Sequence, residues 1–212
     1  MRIGVIQAYS QRDKNPVLFS GVREAVPPEY QVVNFGVNHR STEEISYVTV
    51  AVCVCLLLGS GAVDFMVTGC SSGQGMMLAC NSLPGVMCGY IKDSSDAFLF
   101  GRINGGNAVS YPLGLGWGWN GDLNFRDTMR ALFSGGFGCG YPPQDAKRKR
   151  HDMQQVRMLN TLCRKPLTQA LLDMDRPLLL SALRCSTVYE YIKENASDQK
   201  LAELLIQIAA QT

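Results

Sequence analysis

Short β-branched runs alternate with helix-length apolar patterns through the first two thirds of the chain, and few folds accommodate that alternation. Arg2–Gln7 (RIGVIQ), Gln31–Phe35, Val63–Thr68, Gly85–Tyr90 and Asn107–Tyr111 read as strands. Between and after them, Pro16–Ala25, Thr42–Leu58, Gly73–Ser82, Ser94–Ile103 and Asp122–Phe133 read as helices. The run Ser41-Thr42-Glu43-Glu44 has the form of a capping signal for the second helix. Strands that alternate with helices close into a parallel sheet covered on both faces. The expected fold is therefore α/β, a Rossmann-like three-layer α/β/α sandwich on a five-stranded parallel sheet. Ligands in such sheets bind beyond the carboxyl ends of the strands, so the loops there are where function is expected.

The pattern changes near Gly135. GGFGCGYPP is a Gly/Pro-rich hinge, followed by a basic run, Lys147–Arg150, and by amphipathic helical stretches broken at Pro166 and Pro177. Residues 1–134 are read as the core, and residues 135–212 as the hinge and a helical C-terminal extension. The apolar stretches LLDMD, PLLLSAL and LAELLIQIA hold more Leu and Ile than a small appendage buries alone, so they are expected to pack across the core or between subunits.

Composition excludes several classes. Hydrophobic residues make up 46% and charged residues 18% of the 212, with a net charge of +2. Such a balance gives no electrostatic reason for nucleic acid as a partner. The longest apolar run, Val48–Leu58, is too short to span a bilayer, and no secretory leader is read at Met1–Arg2. Eight cysteines sit largely inside apolar runs with no Cys-x-x-Cys pair, and only His39 and His151 could join them. No metal site is expected, and core-filling thiols suit a reducing cytoplasm.

The segment VTGCSSGQGMMLACN, Val67–Asn81, carries the strongest chemical signal. A strand enters Gly69-Cys70-Ser71-Ser72-Gly73-Gln74-Gly75 and a helix leaves it. Small residues admit a ligand close to the backbone, and the N–H groups at the helix start favour an anion or an oxyanion. The same dipole favours a thiolate on Cys70. The plain alternative is a tight strand–helix turn with a buried cysteine.

Three blocks extend this signal: Cys70–Met76 (CSSGQGM), Asn81-x-x-Pro84-Gly85-Val86, and Arg102-Ile103-Asn104-Gly105-Gly106-Asn107. In order and spacing they resemble the ribose-5-phosphate isomerase B / galactose-6-phosphate isomerase family, over residues 1–134. A further segment, Gly116–Asn124 (GWGWNGDLN), with the long extension, resembles one branch of that family. The resemblance implies an aldose–ketose isomerase working through a cis-enediolate, with Cys70 as the proton-transfer residue and Ser72 supporting it. It implies an anion hole from the N–H groups of Ser71, Gly73, Gln74 and Gly75, and substrate contacts from Asn104 and Asn107; for Asn107, turn stabilisation is an equal alternative. Ser10 and Lys14, in the pattern Ser10-Gln11-x-x-Lys14-Asn15, are candidates for an anionic group on the substrate. Trp117 and Trp119 are read either as a loop over the pocket or as packing on the core. No metal or organic cofactor is implied, and a homodimer or homotetramer with sites near the subunit interface is.

The sequence also departs from the family pattern. Ala8-Tyr9 stands for the Asp-His pair after the first strand, Ile103 for the ring-opening histidine, and Ser46-Tyr47-Val48-Thr49 for an Asp-Tyr-Pro-Asp block. The phosphate-binding arginines have no clear match. Three functions stay open at this point: an isomerase of a sugar phosphate, an isomerase of an unphosphorylated keto-uronate such as 4-deoxy-5-hexosulose-uronate, and a non-catalytic sugar-binding subunit.

Overall fold

The computed structural model describes residues 1–37 and 44–210. Its centre is a five-stranded sheet of β1 (Arg2–Val5), β2 (Gln31–Asn34), β3 (Phe65–Cys70), β4 (Cys88–Tyr90) and β5 (Ala108–Pro112). The order is β2-β1-β3-β5-β4 and every pairing is parallel. The central strand β3 is buried along its whole length, as expected where helices cover both faces. One face carries α1 (Asn15–Ala25), α4 (Ser94–Leu99) and α5 (Gly121–Phe133), packed around Leu18, Phe125, Met129 and Leu132. The other carries α2 (Tyr47–Gly59) and α3 (Gln74–Asn81). The expected three-layer α/β/α sandwich is the observed fold.

α2 is apolar all round, with Val50 to Leu57 buried without a break. A helix of that kind needs cover on two sides. The sheet provides one. The extension provides the other, through α8 (Arg176–Leu183) and α9 (Ser186–Asn195), backed by α7 (Leu167–Asp173) and α10 (Gln199–Ala210). Leu171, Leu179, Leu183, Leu201, Leu205 and Ile208 are all buried in one cluster with α2, and the Cys53 thiol points to Ala182 O at 3.8 Å. The apolar stretches of the extension thus find their cover across their own core. α6 (Ala146–Leu162) is different: none of its residues is buried, and Val156, Met158, Leu159 and Leu162 are exposed.

Two helix boundaries differ markedly from the sequence reading. The second helix, expected from Thr42, begins at Tyr47, because the Ser46 hydroxyl caps it by accepting from Thr49 N at 3.1 Å. The expected cap residues Ser41–Glu43 lie outside the described residues. The helix expected over 94–103 ends at Leu99 and passes into a π-helical turn, Phe100–Asn104. Arg102 in that turn is buried, with Nη2 donating to Leu132 O at 2.7 Å and its guanidinium over the rings of Phe98 and Phe137. The Gly/Pro hinge is sewn to the same turn, Gly138 N donating to Gly101 O and Gly140 N to Arg102 O, both at 2.8 Å.

At the carboxyl end of the sheet a polar cluster fixes where the loops start. The Asn15 amide donates to Gln7 Oε1 at 2.9 Å and to Asn34 Oδ1 at 3.0 Å, tying the ends of β1 and β2 to the start of α1. Gln7 and Asn15 are buried, and each such amide needs its partners because burial removes water.

Candidate active site

β3 ends at Cys70, and backbone pairing with the chain after β5 continues beyond it. Leu113 N donates to Cys70 O at 2.9 Å and Gly114 N to Ser71 O at 2.8 Å. The chain then reverses through Ser71-Ser72-Gly73 into α3. Gly73 sits at φ +74°, where a side chain is strained, and a Cβ there would lie 2.9 Å from Pro112 N and 3.0 Å from Tyr111 C. Ser110 Oγ donates to Gly73 O at 2.6 Å and completes the turn. No side chain among the described residues caps α3. Its first N–H groups are thus directed at the loop, the arrangement that draws an anion.

A cavity of about 580 Å³ opens over Cys70. Its wall comes from three loops: Ala8–Ser10 after β1, Glu44–Tyr47 before α2, and Cys70–Ser72 with Gly75. The loops are coupled, since Ala8 N donates to Gly69 O at 3.0 Å and Tyr9 N to Ile45 O at 3.4 Å. Among the described residues of this wall there is no lysine or arginine. The described titratable groups of this wall besides Cys70 are Tyr9, Glu44 and Tyr47.

Ser10, Cys70, Ser71, Ser72 and Gly75, all expected site residues, are therefore brought together. The others are not. Lys14 does not line the cavity: its Nζ donates to Gln11 Oε1 at 2.6 Å and lies 5.4 Å from the centre of the Trp117 ring. Gly73 shapes the turn, and Gln74 is exposed outside the wall. Asn104 lines another cavity, of about 820 Å³, with Ile103, Lys149, Asn160 and Arg164, and no residue lines both. Asn107 lies at the amino end of β5, at the opposite end of the sheet from Cys70. Its amide accepts from Met87 N and donates to Gly85 O, each at 2.8 Å, so it holds the turn before β4. Trp117 packs edge-on to Tyr111 and against Phe125, while Trp119 is fully exposed.

The sequence reading passed over Tyr9, Gln11, Glu44 and Tyr47. Gln11 is 8% exposed and donates to Ser71 Oγ at 2.8 Å. Its signal was the three-residue spacing to Lys14, which puts both side chains on one side of a helical turn. Tyr47 was visible as the family block's only retained residue.

Three of the other thiols are kept protonated by their surroundings. The Cys88 thiol is pushed up by its hydrogen bond with Cys80 and then by burial, the Cys53 thiol by Cys185 and then by burial, and burial takes Cys55 to about 12. These are packing thiols. Among the described residues no group of three or more His, Cys, Asp or Glu is placed to hold a metal ion, and no helix is long and apolar enough to cross a membrane.

A ribose/galactose isomerase family model matches residues 17–115. The structure superposes on that of 4-deoxy-L-threo-5-hexosulose-uronate ketol-isomerase in complex with a tartrate, with a TM-score of 0.94, 33% identity, and 99% of this chain and 100% of that one covered. The chain belongs to the ribose/galactose isomerase family. As a member it is a sugar isomerase, the activity class expected from the three blocks around Cys70. Ribose-5-phosphate isomerase LacAB_rpiB from Vibrio parahaemolyticus is equally similar in fold, with a TM-score of 0.93, 32% identity and coverage of 98% and 99%. The type B ribose 5-phosphate isomerase of Trypanosoma cruzi shares the fold at a TM-score of 0.64 and 22% identity, and covers 76% of this chain. No curated protein sequence matches the chain.

Proposed function

We propose that this family member interconverts an open-chain keto-uronate of the 4-deoxy-5-hexosulose-uronate type and its isomer, with Cys70 as the base. The observation that carries the reading is the character of the Cys70 cavity within one copy: serines and tyrosines line it, and no described lysine or arginine does. A phosphate carries nearly two charges and is usually gripped by arginine forks. A single carboxylate is met by hydroxyls and N–H groups such as those of Ser10, Ser72 and the start of α3. The basic run on α6 is also engaged elsewhere, Arg148 with Asp145 and Asp152, and Arg150 with Cys139 O. Ile103 in place of a histidine is harmless when no ring has to be opened. The similar keto-uronate isomerase holds a tartrate, a hydroxylated dicarboxylate, which supports the same substrate chemistry.

The Cys70 thiolate removes the proton from the carbon beside the carbonyl. The resulting enediolate is held by the loop N–H groups, and the proton returns to the adjacent carbon. The hydroxyl proton moves between the two oxygens, a transfer this reading gives to Tyr47 or Glu44, which line the same cavity. The thiol chemistry suits the cytoplasm, and no disulfide joins the described cysteines.

The working unit in this reading is a homodimer. A second copy would bring Asn104, whose cavity is separate from that of Cys70, only together with Lys149 and Arg164, so Asn104 is given no role in this reading. α6, with its exposed apolar residues, offers a face for that copy.

The test is proton exchange in deuterated water with 4-deoxy-5-hexosulose-uronate and with ribose 5-phosphate. Exchange is expected with the keto-uronate, falling at least about a hundredfold in Cys70→Ala, the low end for loss of a general base. Efficient exchange with ribose 5-phosphate, lost when Arg148 and Arg150 are replaced by Ala, would restore a sugar-phosphate substrate.

A further inference from the structure

A chain of three side chains runs from behind the cavity to its mouth. Lys14 Nζ donates to Gln11 Oε1 at 2.6 Å, and Gln11 Nε2 donates to Ser71 Oγ at 2.8 Å. We propose that Lys14 and Gln11 are positioning residues that turn the Ser71 hydroxyl into a donor for the substrate oxygen beside Cys70. The inference rests on the isomerase reading above and adds a residue role to the same site.

The argument is one of hydrogen-bond polarity. A lysine ammonium has donors and no acceptor, so the amide oxygen of Gln11 must face it. The amide NH₂ is then left to face Ser71, and it too has only protons to give. Ser71 Oγ therefore accepts. A hydroxyl has a single proton, and with Gln11 on its lone pair that proton is directed elsewhere. Ser71 makes no other side-chain hydrogen bond among the described residues, its carbonyl is already held by Gly114 N, and its side chain lines the cavity next to Cys70. Ser71 is solvent-exposed, so that proton is open to a substrate oxygen that displaces water beside Cys70.

Each link is held in place. Gln11 is 8% exposed, and its backbone N–H donates to Ala8 O at 2.9 Å, which fixes it under the loop after β1. Lys14 rests over the face of Trp117, which in turn packs on Phe125 of the core. The cation therefore acts through the amide and stays out of contact with substrate. A donor fixed before reaction strengthens its bond as negative charge grows on the oxygen, which is the condition for lowering the barrier.

Gln11→Glu is a near-isosteric test. Both of its oxygens accept, so Lys14 forms an ion pair with one and Ser71 must donate to the other. The hydroxyl proton is thereby turned away from the substrate while the fold keeps its contacts. The expected result is a melting temperature equal to or above that of the parent, with kcat on the keto-uronate reduced ten- to a hundredfold. Ser71→Ala should lose a similar factor, and adding Gln11→Glu to Ser71→Ala should lower kcat no further. A rise in KM common to both backgrounds reports only the added charge. Lys14→Met should lower kcat less, because the amide is then free to flip, and Lys14→Arg should restore it. Parental kcat in Gln11→Glu would overturn the proposal, as would an equal fall in kcat with and without the Ser71 hydroxyl. The parent and Cys70→Ala assayed alongside separate this outcome from failure of the substrate reading: if the parent isomerises ribose 5-phosphate instead, the same cycle is read on that sugar.

Discussion

Replacing Gly73 by alanine should damage this protein more than the same change at Gly85, though both glycines have nearly the same φ. Gly73 lies at φ +74° and Gly85 at φ +73°. The left-handed conformation alone costs an L residue roughly 1–2 kcal/mol. At Gly85 nothing lies within 4 Å of the added Cβ, so that cost is the whole effect. At Gly73 the Cβ meets Tyr90 Cε2 at 2.8 Å, Pro112 N at 2.9 Å and Tyr111 C at 3.0 Å. The ring can move aside, but the two backbone atoms belong to the strand that pairs with β3 and cannot. Overpacking of this kind adds about 1–3 kcal/mol. The sum, about 2–5 kcal/mol, corresponds to a fall in melting temperature of about 4–20 °C for a chain of this size, against about 2–8 °C for Gly85→Ala. Scanning calorimetry of the two variants decides the matter. The Gly73 variant should also lose turnover, since relief of the clash displaces Ser71 and Ser72 from the cavity wall. Equal melting temperatures for the two variants would refute the argument from close approach.

Further outcomes follow from other parts of the molecule. Alkylation of the native protein should label the exposed Cys139 and Cys163 first and reach Cys53, Cys55, Cys80 and Cys88 only on unfolding, as read by peptide mass spectrometry. The Cys55 thiol is raised from 9.0 to about 12, so the folded state keeps a proton that the unfolded chain gives up. Stability should accordingly be full below pH 9 and decline as pH rises towards 12, with a shallower decline in Cys55→Val, measured by urea titration. Leu205→Ala, at a site 1% exposed, should cost about 2–5 kcal/mol, and the loss should not depend on protein concentration if the extension packs on its own core. Val156→Arg with Leu162→Arg should yield a folded monomer in sedimentation at micromolar concentration; a persistent dimer would move the interface off α6.

Much of this architecture could be read from the sequence, because strand runs such as RIGVIQ and VDFMVT are dictated by burial on both faces, which leaves a continuous apolar signature. The cysteine at the end of β3 and the glycine turn after it were legible for the same local reason. What the sequence did not place was long-range. Asn104 and Asn107 stand three residues apart in sequence, yet the π-helical turn and Gly105 at φ +55° direct one to a second cavity and the other to the far end of the sheet. Lys14 was credited with direct contact because a cation near an expected anion site invites that reading. Only the fold shows Gln11 standing between the two. The start of α2 was misplaced because Ser41-Thr42-Glu43-Glu44 is the fuller capping pattern in sequence, whereas the hydroxyl that caps the helix is that of Ser46.

The all-round apolar character of α2 has a consequence for synthesis. The ribosome completes this helix at Gly59, but the helices that cover its outer face begin only at Arg176. At about 5–20 residues per second, the outer face of α2 waits on the order of ten seconds for α8 and α9 to emerge. During that interval the nascent chain carries a sticky helix with one side bare. A chaperone that holds short apolar segments should therefore recognise the stretch Val50–Leu57 on stalled chains ending before residue 176, and release it once the extension has emerged.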